Sequence, residues 1–387
     1  MNTKSIKKIK NLNGKKVLLR VDFNVPMANG KIMDEYKIIM HLSTIRYLIE
    51  HGSRVIILSH LGRPGGKYAK NLSLKPIADK LSKILGTKIK FNSDHISFNA
   101  GNEVSKLKNG QILMLENLRF NIGEDKNDRA FAKKLSRLGN LYVNDAFACS
   151  HRKTASICAI KKYLPAHAGL LLREEIKNLD KILHPRKPLV VVLGGAKAIT
   201  KIPLIFKLNK KAYRVLIGGV LANNFLMAKK FEIGRSIHDK VGLKFAREFK
   251  SNKFILPVDV ITSKRKNNWQ AVHKGVNKVH KTDYIFDIGP KTVRLYSDII
   301  KQAGTIIWNG PMGMYEKNEF KHGTLSIARA VAARSKGRVF GVAGGGETVD
   351  SLKMTKMMGY MDWVSTGGGA MLTYLAGGKM PGLKGIV

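Results

Sequence analysis

The sequence has few cysteines and no long hydrophobic run. Only Cys149 and Cys158 occur in 387 residues, and their segment has no metal-ligand spacing. Two such cysteines do not make a disulfide framework, which indicates a reduced, cytoplasmic protein. No apolar run approaches the roughly 20 residues that a membrane helix needs, so we expect no membrane partner. The basic N-terminus has no apolar segment after it, and we therefore predict no secretory signal.

Acidic residues are also scarce. The chain has 27 Asp and Glu against 69 Lys and Arg, a formal net charge of +42. Such a balance can indicate a nucleic-acid partner. The lysines are spread over the whole length, however, and no block carries the interleaved aromatics of a single-strand platform. A solvated lysine surface is the simpler interpretation, and we do not expect nucleic acid as a specific partner; anionic small substrates fit either interpretation.

The length and the order of the patterns predict two domains. At 387 residues the chain is too long for one ordinary core, and 44% of it is apolar. Buried-strand and amphipathic-helix patterns alternate along both halves, which predicts an α/β fold of two lobes, each a doubly wound parallel sheet flanked by helices. An amphipathic helix from Gly169 to Leu183, followed by a proline-containing stretch, predicts a hinge helix over 169–188. The lobes would then cover 1–168 and 189–370.

In the first lobe, polar and basic side chains follow four predicted strands. The carboxyl ends of parallel strands present ligand groups at one edge of a sheet. Each residue alone has a plain explanation, such as a helix cap or a solvated surface charge. Several arginines at one edge suit a small phosphorylated or carboxylated ligand, because the guanidinium group grips such oxygens with two donors. The residues at the four strand ends are Asp22 with Asn24, His60 with Arg63, Arg119, and His151 with Arg152.

In the second lobe, glycine turns follow the predicted strands. Leu189–Leu193 is a buried-strand pattern that breaks at Gly194-Gly195, and Lys197 and Lys201 would share one face of a helix start. This arrangement is typical of a phosphate site, although plain strand-to-helix geometry explains the stretch by itself equally well.

Two more strand–GGG–helix units occur in the last 50 residues, with Glu347 inside the first of them. Each offers the bare N–H groups of a helix start to an anion. A carboxylate beside a phosphate cradle is the expected Mg²⁺ ligand, and an acid that only satisfies the helix dipole is the alternative. A G-x-G-x-x-G fingerprint is absent after the first strand, where the chain reads Val21-Asp22-Phe23-Asn24, and this excludes an NAD dehydrogenase.

Taken together, the motifs resemble the phosphoglycerate kinase family. The resemblance runs from about Val17 to about Gly382 and rests on ten motifs in order: RVDFNVP, SHLGRPGG, ENLRFNIGEDKND, YVNDAF…HR, LGGAK…K, LPVDV, DIGPKT, WNGPMG…E, AGGGET and VSTGGGA.

The resemblance implies a monomeric glycolytic enzyme with a substrate lobe and a Mg-nucleotide lobe. Its reaction is the reversible transfer of the acyl phosphate of 1,3-bisphosphoglycerate to ADP, which gives 3-phosphoglycerate and ATP. The implied co-substrates are ATP and ADP, with Mg²⁺ as cofactor. The last residues, 371–387, would return to pack on the N-terminal lobe.

The resemblance also implies roles for individual residues. Those implied to bind the phosphoglycerate substrate are Asp22, Phe23, Asn24, Lys37, His60, Leu61, Gly62, Arg63, Arg119 and Arg152. Those implied to bind the nucleotide are Lys197, Lys201, Gly219, Asn309, Pro311, Glu316, Gly345, Gly346, Glu347 and Thr348. The implied catalytic residues are Lys37, Lys201 and Gly346, and the implied metal ligand is Glu347.

The chain departs from the family pattern at several of these motifs. Lys37 stands where the family has an arginine in a D-x-R-I context, and Glu347 stands where it has the magnesium aspartate. Ala198-Ile199, Val220 and Ala148 replace a Val-Ser pair and two glycines. An alternative hypothesis is therefore a catalytically weakened member of the same fold that binds polyanions such as nucleic acid.

Overall fold

The computed structural model describes residues 3–94, 98–264 and 269–387 and divides into two compact units. Unit 1 consists of Met1–Lys177 and Lys379–Val387, and unit 2 consists of Asn178–Gly378. The boundary near residue 177 falls inside one helix, Leu170–Leu183. Among the described residues, no helix combines the length and the apolarity that a membrane crossing requires.

Unit 1 is built on a parallel sheet of six strands. The described residues of this unit form the strands β1 (Lys16–Arg20), β2 (Met27–Ala28), β3 (Lys31–Ile32), β4 (Arg54–Leu58), β5 (Ile89–Asn92), β6 (Ile112–Leu115), β7 (Leu141–Asn144) and β8 (Ala166–Ala168). The sheet has the order β5-β6-β4-β1-β7-β8, while β2 and β3 form a separate hairpin. The flanking helices are α1 (Tyr36–Glu50), α2 (Lys75–Leu85), α3 (Phe98–Ser105), α4 (Ile122–Asp125), α5 (Arg129–Ser136) and the shared α6 (Leu170–Leu183).

Unit 2 contains a second six-stranded parallel sheet and a smaller antiparallel one. Its strands are β9 (Leu189–Leu193), β10 (Ala212–Ile217), β11 (Phe254–Ile255), β12 (Asp259–Ser263), β13 (Val272–Gly275), β14 (Tyr284–Ile288), β15 (Thr305–Asn309), β16 (Phe340–Gly344) and β17 (Trp363–Ser365). The parallel sheet has the order β11-β10-β9-β15-β16-β17, and the antiparallel sheet has the order β13-β12-β14. The helices are α7 (Ile202–Asn209), α8 (Gly219–Ala228), α9 (Lys240–Glu248), α10 (Pro290–Lys301), α11 (His322–Arg334), α12 (Gly346–Met354) and α13 (Gly368–Leu375).

The predicted fold class is confirmed, because both six-stranded sheets are parallel and flanked by helices. The antiparallel sheet was not predicted. Its strands β12 and β14 pair through a register shift between Ile261 and Thr262, and β13 has exposed residues at its start. Such short, irregular strands lack the continuous apolar run that marks a buried parallel strand.

Each core is centred on a fully buried central strand. All five residues of β9 are buried, and β1 is buried from Val17 onward. Helix α1 packs Ile38, Leu42, Ile45 and Leu48 into the core of unit 1. These positions follow the 4, 3, 3 spacing of one helix face, so the sequence pattern accounts for the packing.

The C-terminal segment 379–387 belongs to unit 1 and is held there by hydrogen bonds. Nζ of Lys161 donates to the carbonyl oxygens of Pro381, Gly382 and Lys384 at 2.8, 3.1 and 2.9 Å. The backbone N–H of Lys4 donates to the carbonyl of Ile386 at 2.8 Å. Residues 371–378 lie in unit 2 instead, where helix α13 continues to residue 375.

Candidate active site

The carboxyl edge of the first sheet collects the side chains that were singled out in unit 1. Strands β6, β4, β1 and β7 are neighbours in the sheet, and the four polar segments follow them directly. The order reverses at β1, since β4, the next strand of this sheet along the chain, lies on one side of it and β7 on the other. Such a reversal opens a crevice at the carboxyl ends of parallel strands, where ligands bind in open α/β sheets.

Asp22 is the centre of this edge. Its side chain is 4% exposed, and Oδ2 lies 2.6 Å from Nζ of Lys37. Oδ1 accepts the backbone N–H of Asn24 at 3.2 Å and lies 3.9 Å from Nδ1 of His60. Burial alone would raise the pKa of Asp22, but the charge of Lys37 and its hydrogen bond, together with the Arg20 charge, more than offset this effect and hold the pKa far below its ordinary value. Asp22 is therefore ionised at neutral pH.

His60 is held by a buried arginine. Nη2 of Arg20 lies 3.1 Å from Nδ1 of His60, and Nε of Arg20 donates to Oγ of Ser156 at 2.8 Å. An arginine can only donate, so Nδ1 of His60 accepts and the ring proton sits on Nε2. Burial, followed by the Arg20 charge, lowers the pKa of His60 well below its ordinary value. His60 is thus a neutral imidazole with Nε2–H as its donor.

The loop after β4 is tied to the neighbouring strand ends. Oδ1 of Asn24 accepts the backbone N–H of Gly62 at 3.0 Å, and the Gly62 carbonyl accepts from Nη1 of Arg119 at 2.8 Å. Nε of Arg119 donates to Oδ1 of Asp125 at 2.9 Å. The side chain of Arg119 is 8% exposed, and these two hydrogen bonds commit two of its donors before any ligand arrives.

The other residues singled out in unit 1 differ in their placement. Phe23 and Leu61 are buried and support the edge through packing. Arg152 is half-buried, and its Nε lies 3.3 Å from Nε2 of His151. Within the described residues, Arg63 is exposed and outside the hydrogen-bonded set. The edge therefore combines one ionised carboxylate with several cationic groups, which suits a polyol anion whose hydroxyl meets Asp22 and whose oxyanions meet the cations.

The second sheet reverses its strand order between β9 and β15. The turns that follow these two strands meet there, because the N–H of Gly195 donates to the carbonyl of Pro311 at 2.8 Å. Helix α8 begins at the same place with Gly219, whose φ is 58°. A Cβ at Gly219 would lie 2.6 Å from the nitrogen of Gly195, so only glycine allows these backbones to approach.

The lysine pair does not lie on the start of an α-helix, which corrects the prediction. Lys197 precedes a short 3₁₀ turn, Ala198–Thr200, and helix α7 begins only at Ile202. Lys197 is exposed whereas Lys201 is 6% exposed, and Nζ of Lys201 lies 3.4 Å from the Lys197 carbonyl. The Pro203 ring fits the first turn of a helix, where no backbone N–H is needed, and this explains the late start of α7.

Lys201 and Glu347 converge on the glycine turn after β9. A Cβ placed at Gly195 would lie 3.4 Å from Oε2 of Glu347 and 3.6 Å from Nζ of Lys201. Burial lowers the pKa of Lys201, the Glu347 charge opposes this shift, and the Lys197 charge adds to it. A lysine and a carboxylate around one small space can neutralise a phosphate chain and bind the metal ion that accompanies it.

A cavity of about 220 Å³ opens beside this turn within unit 2. Its walls are mainly apolar and include Val220, Leu226, Ile237 and Met312. Four of the residues implied to bind nucleotide line it: Gly219, Pro311, Glu316 and Glu347. An apolar slot with a few polar groups at one end is the usual form of a pocket for a flat, partly polar ligand.

The start of helix α12 lies beside the same reversal of strand order, near the end of β15. Oγ1 of the buried Thr348 accepts the N–H of Gly310 at 2.7 Å, and Nδ2 of Asn309 donates to the Gly344 carbonyl at 2.6 Å. Gly345 has a φ of 107°, and Gly346 is exposed at the first helical position. Free N–H groups of this helix start are available to an anion.

Three buried polar residues near these sites escaped the sequence analysis: Arg20, His41 and Asp287. Arg20 is a charged residue in an apolar stretch of β1, and His41 lies on the apolar face of α1. The sequence pattern could therefore have marked both as buried polar residues. Asp287 lines the cavity of unit 2, and burial raises its pKa to about 8, against the opposing effect of the N–H groups of Gly323 and Ile288. Its strand β14 was not predicted, so nothing marked this acid as buried.

Comparison with known proteins agrees with this architecture. The family model for phosphoglycerate kinase matches residues 6–378. The phosphoglycerate kinase of Orientia tsutsugamushi (strain Ikeda) is 42% identical over 383 residues, which cover 96% of this chain and 94% of that protein. That of Moorella thermoacetica is 42% identical over 381 residues, covering 96% of each.

Solved structures are similar over nearly the whole chain. Phosphoglycerate kinase from Coxiella burnetii is 39% identical with a TM-score of 0.85, over 99% of this chain and 98% of that one. The enzyme from Pyrococcus horikoshii OT3 is 32% identical with a TM-score of 0.86, over 98% and 97%. The predicted resemblance is confirmed, and the chain belongs to the phosphoglycerate kinase family.

Proposed function

We propose that this chain is an active phosphoglycerate kinase. It transfers the acyl phosphate of 1,3-bisphosphoglycerate to ADP, and in reverse it phosphorylates the carboxyl group of 3-phosphoglycerate with ATP. Phosphoryl transfer asks a protein mainly to position two anions and to neutralise their charge. The observation that carries the proposal is the convergence of Lys201 and Glu347 on the Gly195 turn, at the end of a cavity lined by Gly219, Pro311 and Glu316.

The phosphoglycerate binds at the carboxyl edge of the first sheet. Asp22 and Asn24 hold the hydroxyl and carboxyl region, and Asp22 suits this role because its low pKa keeps it an acceptor. The substrate phosphate is held by His60, Arg63, Arg119 and Arg152, together with the loop at Leu61 and Gly62. The Nε2–H of His60 donates without adding charge, whereas the arginines supply charge. Phe23 keeps the strand end in place through its buried ring.

The nucleotide binds in unit 2, with its base in the cavity and its ribose on Glu316. Its phosphate chain runs past Gly345, Gly346 and Thr348 toward Lys197 and Lys201, and Asn309 and Pro311 shape the turn beside it. An exposed carboxylate next to backbone donors fits Mg²⁺, which prefers one or two carboxylates together with phosphate oxygens. Glu347 would hold the ion, whose charge neutralises the phosphate oxygens when it is bound.

Three residues act on the transferring group itself. Lys201 supplies positive charge from a nearly buried position, where electrostatic effects are stronger than at the surface. The N–H of Gly346 supplies a fixed donor at the start of α12. Lys37 supplies a second cation from helix α1. Charges that are fixed before the reaction need no rearrangement as charge develops, and this lowers the barrier.

The carboxyl acceptor is the finer part of the proposal, and hydroxylamine trapping tests it. An acyl phosphate reacts with hydroxylamine to give a hydroxamate, whereas a phosphate ester does not. Incubation with 3-phosphoglycerate, Mg-ATP and hydroxylamine should therefore yield a hydroxamate and ADP in equal amounts. ADP formation without hydroxamate would show that the phosphate goes to another acceptor. The Lys201→Ala variant is the matched negative control.

The net charge of +42 favours a second candidate function, binding to a polyanion such as RNA. If the lysines only form a solvated surface, RNA binding should be weak and should fall steeply as salt rises. A tight, sequence-selective complex at physiological salt, together with absent phosphoryl transfer, would favour this second function.

A further inference from the structure

A buried histidine connects Asp22 to a second buried aspartate. His41 lies on the core face of helix α1 and is 1% exposed. Its Nε2 lies 3.0 Å from the backbone nitrogen of Asp22, and its Nδ1 lies 2.8 Å from Oδ2 of Asp145. Asp145 is fully buried at the end of β7, the strand next to β1. The three residues thus form one hydrogen-bonded chain beneath the carboxyl edge of the sheet.

The partners of His41 fix its tautomer. A backbone N–H can only donate, so Nε2 must accept from Asp22 and cannot carry a proton. The ring proton then sits on Nδ1 and points at the carboxylate of Asp145. The ring edge also packs against Phe23, with centroids 5.6 Å apart and planes at 75°. The imidazole has one orientation that satisfies both neighbours.

Asp145 is itself held from several sides. Its own N–H donates to the carbonyl of Arg20 at 2.9 Å, and its Oδ1 accepts the N–H of Leu172 in the first turn of α6 at 3.2 Å. Gly169 lies so close that any side chain there would clash with this carboxylate. Contacts with β1 and α6 therefore fix the orientation of Asp145. Asp145 in turn orients the His41 ring, and this ring accepts the backbone N–H of Asp22.

We propose that His41 is a positioning residue for the substrate-binding aspartate and that Asp145 holds the His41 ring in place, an inference that rests on the proposed function. The Asp22 N–H lies just past the end of β1, where the chain leaves the strand. His41 gives this N–H an acceptor and so fixes the peptide plane from which the Asp22 side chain projects. The carboxylate then faces Lys37 and the Asn24 N–H. Without the acceptor, the buried N–H must turn toward another partner and the carboxylate turns with it.

Two polar substitutions separate the two contacts of His41. The amide of glutamine reaches the place of Nε2, so His41→Gln keeps an acceptor for Asp22 and loses the donor to Asp145. The shorter asparagine reaches the place of Nδ1, so His41→Asn keeps the donor to Asp145 and loses the acceptor for Asp22. Both variants place an uncharged amide at the same buried position, so a general loss of packing affects them alike.

Calorimetric titration with 3-phosphoglycerate and, separately, with Mg-ADP decides the question. We expect His41→Asn to weaken 3-phosphoglycerate binding by about tenfold and His41→Gln to stay within about threefold of the parent. Affinity for Mg-ADP should not change in either variant. His51→Ala, an exposed histidine at the end of the same helix, is the control and should bind both ligands as the parent does.

The outcomes are distinguishable. Equal 3-phosphoglycerate affinities for the two folded variants would overturn the inference, even if both melt at a lower temperature, because His41 would then be merely structural. If His41→Asn does not fold, a tenfold weakening in His41→Gln overturns it, and parent-like binding in His41→Gln supports it. A parent protein that binds no 3-phosphoglycerate would refute the proposed function instead.

Discussion

Nζ of Lys37 lies 2.6 Å from Oδ2 of Asp22 and 3.3 Å from the carbonyl oxygen of Asn24. Burial would lower the pKa of Lys37, but Asp22 more than reverses this effect and the pKa lies above its ordinary value. The side chain of Lys37 is only 28% exposed. This lysine therefore stays charged, but its ammonium group is already paired with the carboxylate of Asp22. The family has an arginine here, which could hold Asp22 and still present a free donor.

The first prediction concerns Lys37→Arg, which should raise turnover at nearly unchanged KM for both substrates. A planar guanidinium can contact two oxygens of the transferring group, whereas an ammonium is a compact point charge. A contact made mainly in the transition state raises kcat without tightening ground-state binding. The gain should be roughly tenfold to a hundredfold, which corresponds to about 1–3 kcal/mol.

Single-turnover phosphoryl transfer measures this effect apart from product release. Lys80→Arg is the matched control, because Lys80 pairs with Glu35 and is not among the proposed site residues. A Lys37→Arg protein that transfers phosphate no faster than the parent would refute the prediction. A neighbouring cation would then already supply the missing contact.

The second prediction concerns Lys201. Lys201→Ala should reduce turnover far more than nucleotide affinity, since its charge is needed mainly while the phosphoryl group moves. We expect a loss of at least about a hundredfold in kcat, as for removal of one preorganised donor. Steady-state kinetics and ADP titration measure the two effects. Lys207→Ala, on an exposed position of α7, is the control, and unchanged turnover in Lys201→Ala would end the assignment.

The third prediction concerns the metal ligand. Glu347→Gln should raise the Mg²⁺ concentration for half-maximal rate by about tenfold or more, because a neutral amide is a weaker ligand than a carboxylate. Glu347→Asp keeps the charge and should lie much closer to the parent. Rate measurements over a Mg²⁺ series test this, with the exposed Glu248→Gln as the control. The same Mg²⁺ dependence in all four proteins would exclude Glu347 as the ligand.

The fourth prediction concerns the pH dependence of stability that arises from Asp287. The folded pKa of about 8 lies above the unfolded value, because burial favours the neutral acid. Between about pH 4 and about pH 8 the folded state binds a proton that the unfolded state does not. The stability contribution of this group is therefore full at low pH and is lost as pH rises through about 8.

Denaturant unfolding of parent and Asp287→Asn over this pH range measures the effect. Asparagine cannot ionise, so the difference in the free energy of unfolding between the two proteins should change with pH. The parent should lose stability relative to the variant as pH rises. Asp298→Asn, at a half-exposed position of α10, controls for loss of an ordinary surface charge. A difference that stays constant over this pH range would show that Asp287 is ionised throughout.

The sequence predicted the parallel sheets well because their strands are short apolar runs followed by turns. The segments with Asp22, His60 and Arg119, which follow predicted strands, could be assigned to one edge from the sequence alone. Parallel strands must present their carboxyl ends together. Helix α1 shows the apolar periodicity of one helix face, and it begins at Tyr36, two residues before the first buried position of that face, Ile38. In these cases local pattern and tertiary structure agree.

The missing parts depend on contacts that are distant in the chain. In the sequence, His41 is one more residue on a helix face. Its role follows from its hydrogen bond to Asp145, which lies 104 residues away in the chain. The cavity of unit 2 depends on β14, where an aspartate interrupts the apolar run and the pairing with β12 has a register shift. The different burial of Lys197 and Lys201 depends on where α7 begins, which a proline and a 3₁₀ turn decide. Pattern alone does not encode such non-local geometry.

The central claim is that the chain carries out phosphoryl transfer, and the rate of ATP formation tests it most directly. Purified protein should convert 1,3-bisphosphoglycerate and ADP to ATP and 3-phosphoglycerate in the presence of Mg²⁺, and removal of Mg²⁺ should abolish most of the rate. Lys201→Ala, measured alongside, should show little of this activity. A folded parent protein that forms no more ATP than Lys201→Ala would contradict the account.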